Sequence, residues 1–292
     1  MSLFVNVPLT PDKTYLIEEH IHTGRDYPYH FHPEYELTIR LKSFGHRVIG
    51  DHIAPYYPGD CVLVGPNLPH QWKKDERFKV AGGMKDLIYV LKFREDFLGE
   101  EFMKRMETLP VRELFERSKL GISFSQETTE KVYPLVKQLL NKTYLSGIIT
   151  LLEIIQVLCE AKDYHVLASP GFVDSKDDQG RTQITQIVRY ILENFDNDIS
   201  ASSTAERFHM QLSTFSHYFK TRTGKTFVKF LNEVRLGHAS RLLLESDLYV
   251  SEICYQSGFK NMSNFNRHFK RQYNLAPREY RRQLVGGSRE IG

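Results

Sequence analysis

Over the first ninety or so residues, apolar positions stand in short runs or alternate with polar ones. Glu36–Leu41 and Cys61–Val64 are such segments, and the turn-rich clusters Pro55–Asp60 and Gly65–Pro69 separate them. This texture predicts strands over residues 1–93, and the spacing suits a β-barrel or sandwich. From residue 95 to 164 the period changes. Phe97–Glu107, Val111–Ser118, Glu127–Leu140 and Gly147–Ala161 carry apolar residues at helical spacing. The last is apolar nearly all round, so it must be buried in the core or against a second subunit. Residues 168–180 are polar, contain Pro170 and two glycines and lack periodicity, as an interdomain linker would. Residues 182–283 then read as helices with short breaks.

Charge divides the chain along the same line. Residues 181–292 hold 17 Lys/Arg against 10 Asp/Glu, a balance of +7, whereas residues 1–180 hold 22 against 26, a balance of −4. A basic C-terminal module beside a mildly acidic N-terminal one fits nucleic-acid binding but also fits a solvated surface. No apolar run approaches the ~18 residues that suggest a membrane span. The N-terminus has no basic region followed by an apolar core, so no signal peptide is expected. Cys61, Cys159 and Cys254 are odd in number and far apart. Reduced thiols and a cytoplasmic protein are expected.

An internal repeat sharpens the charge argument. Ser213-Thr-Phe-Ser-His-Tyr-Phe-Lys220 aligns with Ser263-Asn-Phe-Asn-Arg-His-Phe-Lys270 at an offset of 50. The phenylalanines at i and i+4 share a helical face and are assigned to packing. The intervening positions are hydrogen-bonding side chains, as a helix in the major groove requires. Each copy follows a short helix and a turn. Ser200 is the expected N-cap of the first short helix, with Ala205 as a small contact residue and His209–Gln211 as the turn. In the second copy the turn is Gly258–Asn261, and Gly258 supplies a positive φ. The offset there slips to 49, so one turn is a residue longer. Thr226–Glu245 is predicted as a long helix that fixes the distance between the copies.

The runs Ile253–Phe259, Asn264–Lys270 and Ala276–Arg281 resemble the signature of the AraC (arabinose-operon regulator) family, over residues 183–283. The resemblance implies two helix-turn-helix units placed in successive major-groove segments, about one helical turn (~34 Å) apart. It puts DNA-contacting positions at Ser213, Thr214, Ser216, His217 and Lys220, and at Met262, Ser263, Asn266, Arg267 and Lys270. Arg267 is the best candidate for base reading, since Arg to guanine is the commonest specific contact. Lys220, Arg222, Lys270 and Arg271 suit phosphates. Three departures from the family pattern stand out. Asn274 replaces a glycine but tolerates the left-handed region. Ala276 cannot cap the last helix with its side chain, at a cost of about 1 kcal/mol. Ala201, Ser203 and Thr204 leave the first unit with less apolar area to pack.

A second constellation lies near the N-terminus. In Gly24-Arg-Asp-Tyr-Pro-Tyr-His30-Phe-His32-Pro-Glu-Tyr-Glu36, the residues His30, His32 and Glu36 share parity and on a continuous strand would face one side. Farther on, His70 follows Pro66-Asn-Leu-Pro. These segments resemble the two motifs of the cupin barrel, whose metal-binding members supply three His and one Glu. His30, His32, Glu36 and His70 could therefore hold a divalent transition metal, Mn²⁺, Fe²⁺, Ni²⁺ or Zn²⁺. They could equally line an effector pocket, with Arg25 and Arg40 as charged anchors and Trp72 as a stacking face, or serve structure alone.

The expected architecture is an α+β chain of two domains. Residues 1–165 form a cupin-like β-barrel with appended helices that senses an effector and dimerises. Residues 166–181 are a linker, 182–284 an all-α domain with two helix-turn-helix units, and 285–292 a tail. The expected function is a sequence-specific transcription regulator, an activator by family precedent, responding to a small molecule with sugars among the candidates. Double-stranded DNA, RNA polymerase (by resemblance) and a second copy of the chain are the expected partners, with no membrane. No catalytic residues are assigned. The competing reading is a metal-dependent cupin enzyme carrying an accessory DNA-binding module.

Overall fold

A computed structural model describes residues 9, 13–22, 28–74, 86–173 and 178–286. The chain divides into two compact units. One spans Met1–Ser169 apart from two three-residue segments, and the other includes Pro170–Gly292.

In the first unit, strands β1 (Tyr15–His22), β2 (Tyr35–Arg40), β3 (Gly45–Ile49), β4 (His52–Tyr56), β5 (Asp60–Val64), β6 (His70–Lys74) and β7 (Asp86–Phe93) precede the helices. Two more strands, β8 (Ile122–Phe124) and β9 (Tyr164–Val166), are interspersed among them. They make two sheets, β1-β7-β2-β5-β8-β9 and β4-β3-β6. The strands stand in two sheets rather than one closed barrel, an arrangement compatible with a cupin-like fold. An isolated bridge between His30 and His70 is the one pairing among the described residues outside the named strands.

Alternation along β2 sorts its side chains. Tyr35, Leu37 and Ile39 are buried in an apolar core with Leu63, Leu91 and Phe93. The intervening Glu36, Thr38 and Arg40 emerge on the opposite face. That core is completed by helices α1 (Glu100–Met103), α2 (Leu109–Ser118), α3 (Gln126–Leu139) and α4 (Tyr144–Glu160). The single helix expected over Phe97–Glu107 is instead one turn, α1, followed by a 3₁₀ turn at Met106–Thr108. Gly99, at φ 87°, delays the start, and Pro110 near the N-terminus of α2 begins a new helix. Helix α3 is capped by Ser125, whose Oγ accepts from the Thr128 N–H. Helix α4 buries Leu151, Ile154, Ile155 and Leu158, whereas Leu145, Ile149 and Leu152 remain exposed on another face. At the end of the unit the buried Asp51 carboxylate accepts hydrogen bonds from Ser169 N–H at 2.8 Å and Ser169 Oγ at 2.7 Å.

The second unit contains α5 (Pro170–Val173), α6 (Asp178–Asn194), α7 (Ala201–Arg207), α8 (Leu212–Thr223), α9 (Phe227–Glu245), α10 (Val250–Gln256), α11 (Met262–Tyr273) and α12 (Pro277–Gly286). Helix α5 and the start of α6 fall inside the segment read as linker. Only Phe172 of α5 is buried, so the sequence carries no period there. The long helix α9 serves both halves of the unit. Near its start, Phe227 and Phe230 meet Phe219 with ring centroids 5.8 and 5.6 Å apart. Farther along, Leu236, Ala239 and Leu243 join the cluster of Ile253, Cys254, Phe259, Phe265, Phe269 and Tyr280. No described helix is long and apolar enough to cross a membrane.

Candidate nucleic-acid interface and histidine cluster

Each half of the second unit consists of a seven-residue helix, a turn and a twelve-residue helix. The first short helix, α7, begins with a capping box: Ser200 Oγ accepts from Ser203 N–H, and Ser203 Oγ accepts from Ser200 N–H. In α10 the cap is supplied by Glu252, which accepts from Tyr249 N–H at 2.7 Å. Both turns pass through the left-handed region, at His209 (φ 56°) in the first and Gly258 (φ 80°) in the second. These residues correspond at the offset of 49. Both long helices also end left-handed, at Gly224 and at Asn274. Helix α12 recovers part of the cap that Ala276 lacks, because Glu279 accepts from Ala276 N–H at 2.9 Å.

Phe215 and Phe219 of α8, and Phe265 and Phe269 of α11, are fully buried. That fixes the opposite faces outward. Ser213, Thr214, Ser216, His217 and Lys220 are exposed on α8. Ser263, Asn266, Arg267 and Lys270 are exposed on α11, where Met262 is half-buried. Arg267 donates to Asn264 Oδ1 at 2.9 Å, so the guanidinium is held one turn from its own Cα. Asn264 in turn donates its backbone N–H to Asn261 Oδ1 at 2.8 Å, and Asn261 caps the start of the helix. Asn264 was not singled out in the sequence, where it is one more polar position; its i,i+3 spacing from Arg267 is the signal that would have found it. Arg222 lies over the Tyr218 ring, 5.5 Å from its centroid, and donates to Gly171 O at 3.5 Å. It thus contributes to packing within this unit. Arg271 donates to His268 Nδ1 at 3.1 Å.

The other constellation belongs to the first unit. His30, His32, Glu36 and His70 come together, but not by the continuous strand that their parity suggested: β2 starts only at Tyr35. The backbones of His30 and His70 exchange N–H···O bonds of 3.1 and 2.8 Å. His32 donates from Nε2 to Glu36 Oε2 at 3.0 Å, and Thr38 Oγ1 donates to Glu36 Oε1 at 2.8 Å. Lys92 faces Glu36 across the β2–β7 register, its Nζ 3.2 Å from Oε2. Glu34, also buried, places an oxygen 3.4 Å from His32 Nδ1. Neither Lys92 nor Glu34 was predicted. Lys92 could have been found as the lone cation inside the apolar run of β7.

Burial sets the electrostatics. It pushes the His70 imidazole down to about 3 and lowers His30 from its ordinary value. Burial pushes Glu36 upward, but His70, His32 and Lys92 outweigh it and hold the carboxyl well below its ordinary range. Among the effector candidates, Trp72 is edge-on to His70, with centroids 5.7 Å apart, and its Nε1 donates to Asp60 Oδ2 at 3.3 Å. Arg40 lies over the Trp72 ring at 5.4 Å and the Tyr56 ring at 5.2 Å, so that face of Trp72 is already stacked. Asp60 also pairs with Arg47. Arg25 lies outside the described residues. The three cysteines are free, and burial raises Cys61 to about 12 and Cys159 to about 11, which leaves them unreactive thiols.

A pair of buried-stripe helices, each preceded by a short helix and a tight turn, and joined by one long helix, defines a double helix-turn-helix domain. The helix-turn-helix domain family matches residues 204–283. The HTH-type transcriptional activator RhaS of Mannheimia succiniciproducens is 31% identical over 154 residues, covering 49% of this chain and 58% of the relative. RhaS of Salmonella schwarzengrund is 34% identical over 99 residues, covering 34% and 36% respectively. The chain thus spans from about a third to somewhat over half the length of these relatives. Among solved structures, the DNA-binding domain of AdpA, a global transcriptional factor in complex with target DNA, is 30% identical. It covers 37% of this chain and 96% of that one, with a TM-score of 0.34. ToxT of Vibrio cholerae with bound unsaturated fatty acid is 15% identical over 94% of this chain and 97% of its own, with a TM-score of 0.38. Over residues 204–283 the chain carries a domain of the helix-turn-helix family, and it is similar to transcriptional activators of that type.

Proposed function

We infer that the chain activates transcription by reading an operator with α8 and α11 and by responding to a small molecule held in the first unit. The observation that carries this reading is the pair of exposed polar faces, Ser213–Lys220 and Ser263–Lys270, each backed by two fully buried phenylalanines. Within that pair, Ser213, Thr214, Ser216, His217, Met262, Ser263, Asn266 and Arg267 read bases, and Lys220 and Lys270 meet phosphates. Support for activation comes from the relatives, which are named as activators; RNA polymerase is the partner this implies. His30, His32, Glu36 and His70, with Trp72, Arg40 and Arg25, are the ligand-binding residues of the first unit, and a polyhydroxylated ligand such as a sugar suits their hydrogen-bonding groups. The exposed Leu145, Ile149 and Leu152 of α4 form the dimer contact.

The test is selection of binding sequences by the full chain from a random duplex pool, followed by affinity measurements on Arg267→Ala. The variant is expected to lose about 1–3 kcal/mol on the selected site and to relax preference at one base pair. An equal loss on every sequence would make Arg267 a phosphate contact, and no enriched sequence at all would overturn the operator-reading function. A thermal-shift screen of sugars and small acids against the full chain tests the ligand.

A further inference from the structure

A cleft of about 500 Å³ lies within the second unit, between the first half of α9 and one flank of α11. Lys229, Asn232, Glu233 and Leu236 line it at i, i+3, i+4 and i+7, one face of α9. His268 and Arg271, three residues apart, line it from α11. The floor is fixed, because Leu236 is buried in the same core as Phe265 and Phe269. Arg271 follows Arg267 by about one turn, so the cleft borders the reading face of α11 rather than lying on it.

The polar lining is dominated by donors. Lys229 and Arg271 are exposed cations, and among the described residues neither pairs with a carboxylate. Arg271 donates to His268 Nδ1 at 3.1 Å. A guanidinium only donates, so Nδ1 carries the lone pair and Nε2 the proton. Burial, Arg271 and Arg267 all lower the His268 pKa, in keeping with that state. Glu233, the acid of the lining, is half-buried and already paired with Lys225, Oε2 to Nζ 2.9 Å. An ammonium, a guanidinium and an imidazole N–H thus border one space. An anion with several acceptor oxygens matches that set, and a cation is repelled by it. A bare ion would leave most of the volume empty.

We propose that the α9–α11 cleft binds a phosphate group carried on a larger molecule, with Lys229 and Arg271 as its charge partners and His268 as a hydrogen-bond donor. Two sources share this chemistry: a backbone phosphate of the duplex between the segments that α8 and α11 read, and an organic phosphate free in solution. The first rests on the operator reading above; the second does not. A phosphate held by Lys229 of the connector and Arg271 of the reading helix carries no base information, but it fixes the register of α11 on the duplex.

Two measurements on the full chain separate the sources. On the selected duplex, each backbone phosphate is ethylated in turn and scored for interference. The wild type is expected to be blocked by an ethylated phosphate between the two contacted segments. Lys229→Met and Arg271→Met are each expected to bind ~10-fold more weakly, to tolerate that ethyl group and to show a salt slope smaller by about one. Without DNA, calorimetric titration with ATP and with inorganic pyrophosphate reads the free source, as about one equivalent bound by the wild type and binding at least ~10-fold weaker in either variant. Glu233→Gln removes the acid of the cleft and is expected to tighten whichever phosphate binds, a gain that misfolding cannot produce. Interference relieved by the variants assigns the duplex as the source, and variant-sensitive titration assigns the free phosphate. Neither result, or a Glu233→Gln chain that binds both kinds of phosphate more weakly, would overturn the site. A chain that selects no duplex sequence removes the operator reading and leaves the titration to decide the cleft.

Discussion

Thr204 and Ile253 occupy the same place in the two helix-turn-helix units, and both are fully buried. The isoleucine contributes only apolar surface. The threonine buries a hydroxyl that has no partner among the described residues, and a buried, unmatched polar group costs about 1–3 kcal/mol. Thr204→Val keeps the shape and removes the penalty, so it is expected to raise the stability of the chain by about 1 kcal/mol, read as a higher midpoint in urea unfolding. An unchanged or lower midpoint would mean that the hydroxyl is satisfied, for instance by water. From the sequence, Ala201, Ser203 and Thr204 were expected to leave the first unit with less apolar area to pack and Ser200 to cap its short helix, but the full capping box was not foreseen. That box depends on Ser203 reaching back to Ser200, and a serine three residues after a serine is a common pair with no such meaning elsewhere.

At the scale of elements, the two turns reach one backbone conformation with different residues. Gly258 is left-handed and crowded besides: a Cβ there would lie 2.6 Å from Phe195 O and 2.8 Å from Arg235 Nε. Arg235 is itself fastened to Phe195 O at 2.8 Å and Asn197 O at 3.0 Å. Gly258→Ala is therefore expected to destabilise by about 2 kcal/mol or more, combining left-handed strain with displaced backbone. Thermal unfolding checks it, and a loss below about 0.5 kcal/mol would show that the turn can shift away. Gly258 was legible as a turn glycine, and the repeat made α8 and α11 legible as a pair, because both depend on local spacing. The strand order was not. Whether β7 lies between β1 and β2 is decided by contacts between segments about fifty to eighty residues apart, and such a separation hid Lys92 opposite Glu36. The histidine cluster was found although its rationale failed: parity grouped His30, His32 and Glu36, whereas a bridge to His70 and a turn before β2 bring them together.

On the scale of the whole molecule, α4 is apolar on more faces than its own core covers. Leu145, Ile149 and Leu152 recur at i, i+4 and i+7 on the exposed face, and a second copy of the chain is the proposed cover. Light scattering is expected to give a dimer for the wild type and a monomer for Leu145→Glu/Ile149→Glu with an unchanged far-ultraviolet spectrum; a wild-type monomer, or a dimer that survives the substitutions, would place the contact elsewhere. Within the second unit the decisive part is α9. Its 19 residues make a rod of ~28 Å at 1.5 Å per residue, packed against one reading unit near its start and against the other near its end. A rod cannot be tuned as a loop can. An operator can therefore drift by single base changes, each costing about 1–3 kcal/mol. One inserted base pair between the two contacted segments would shift the second by ~3.4 Å and turn it by about a tenth of a circle. Sites recognised by this chain are expected to differ from one another by scattered letters and hardly at all in length.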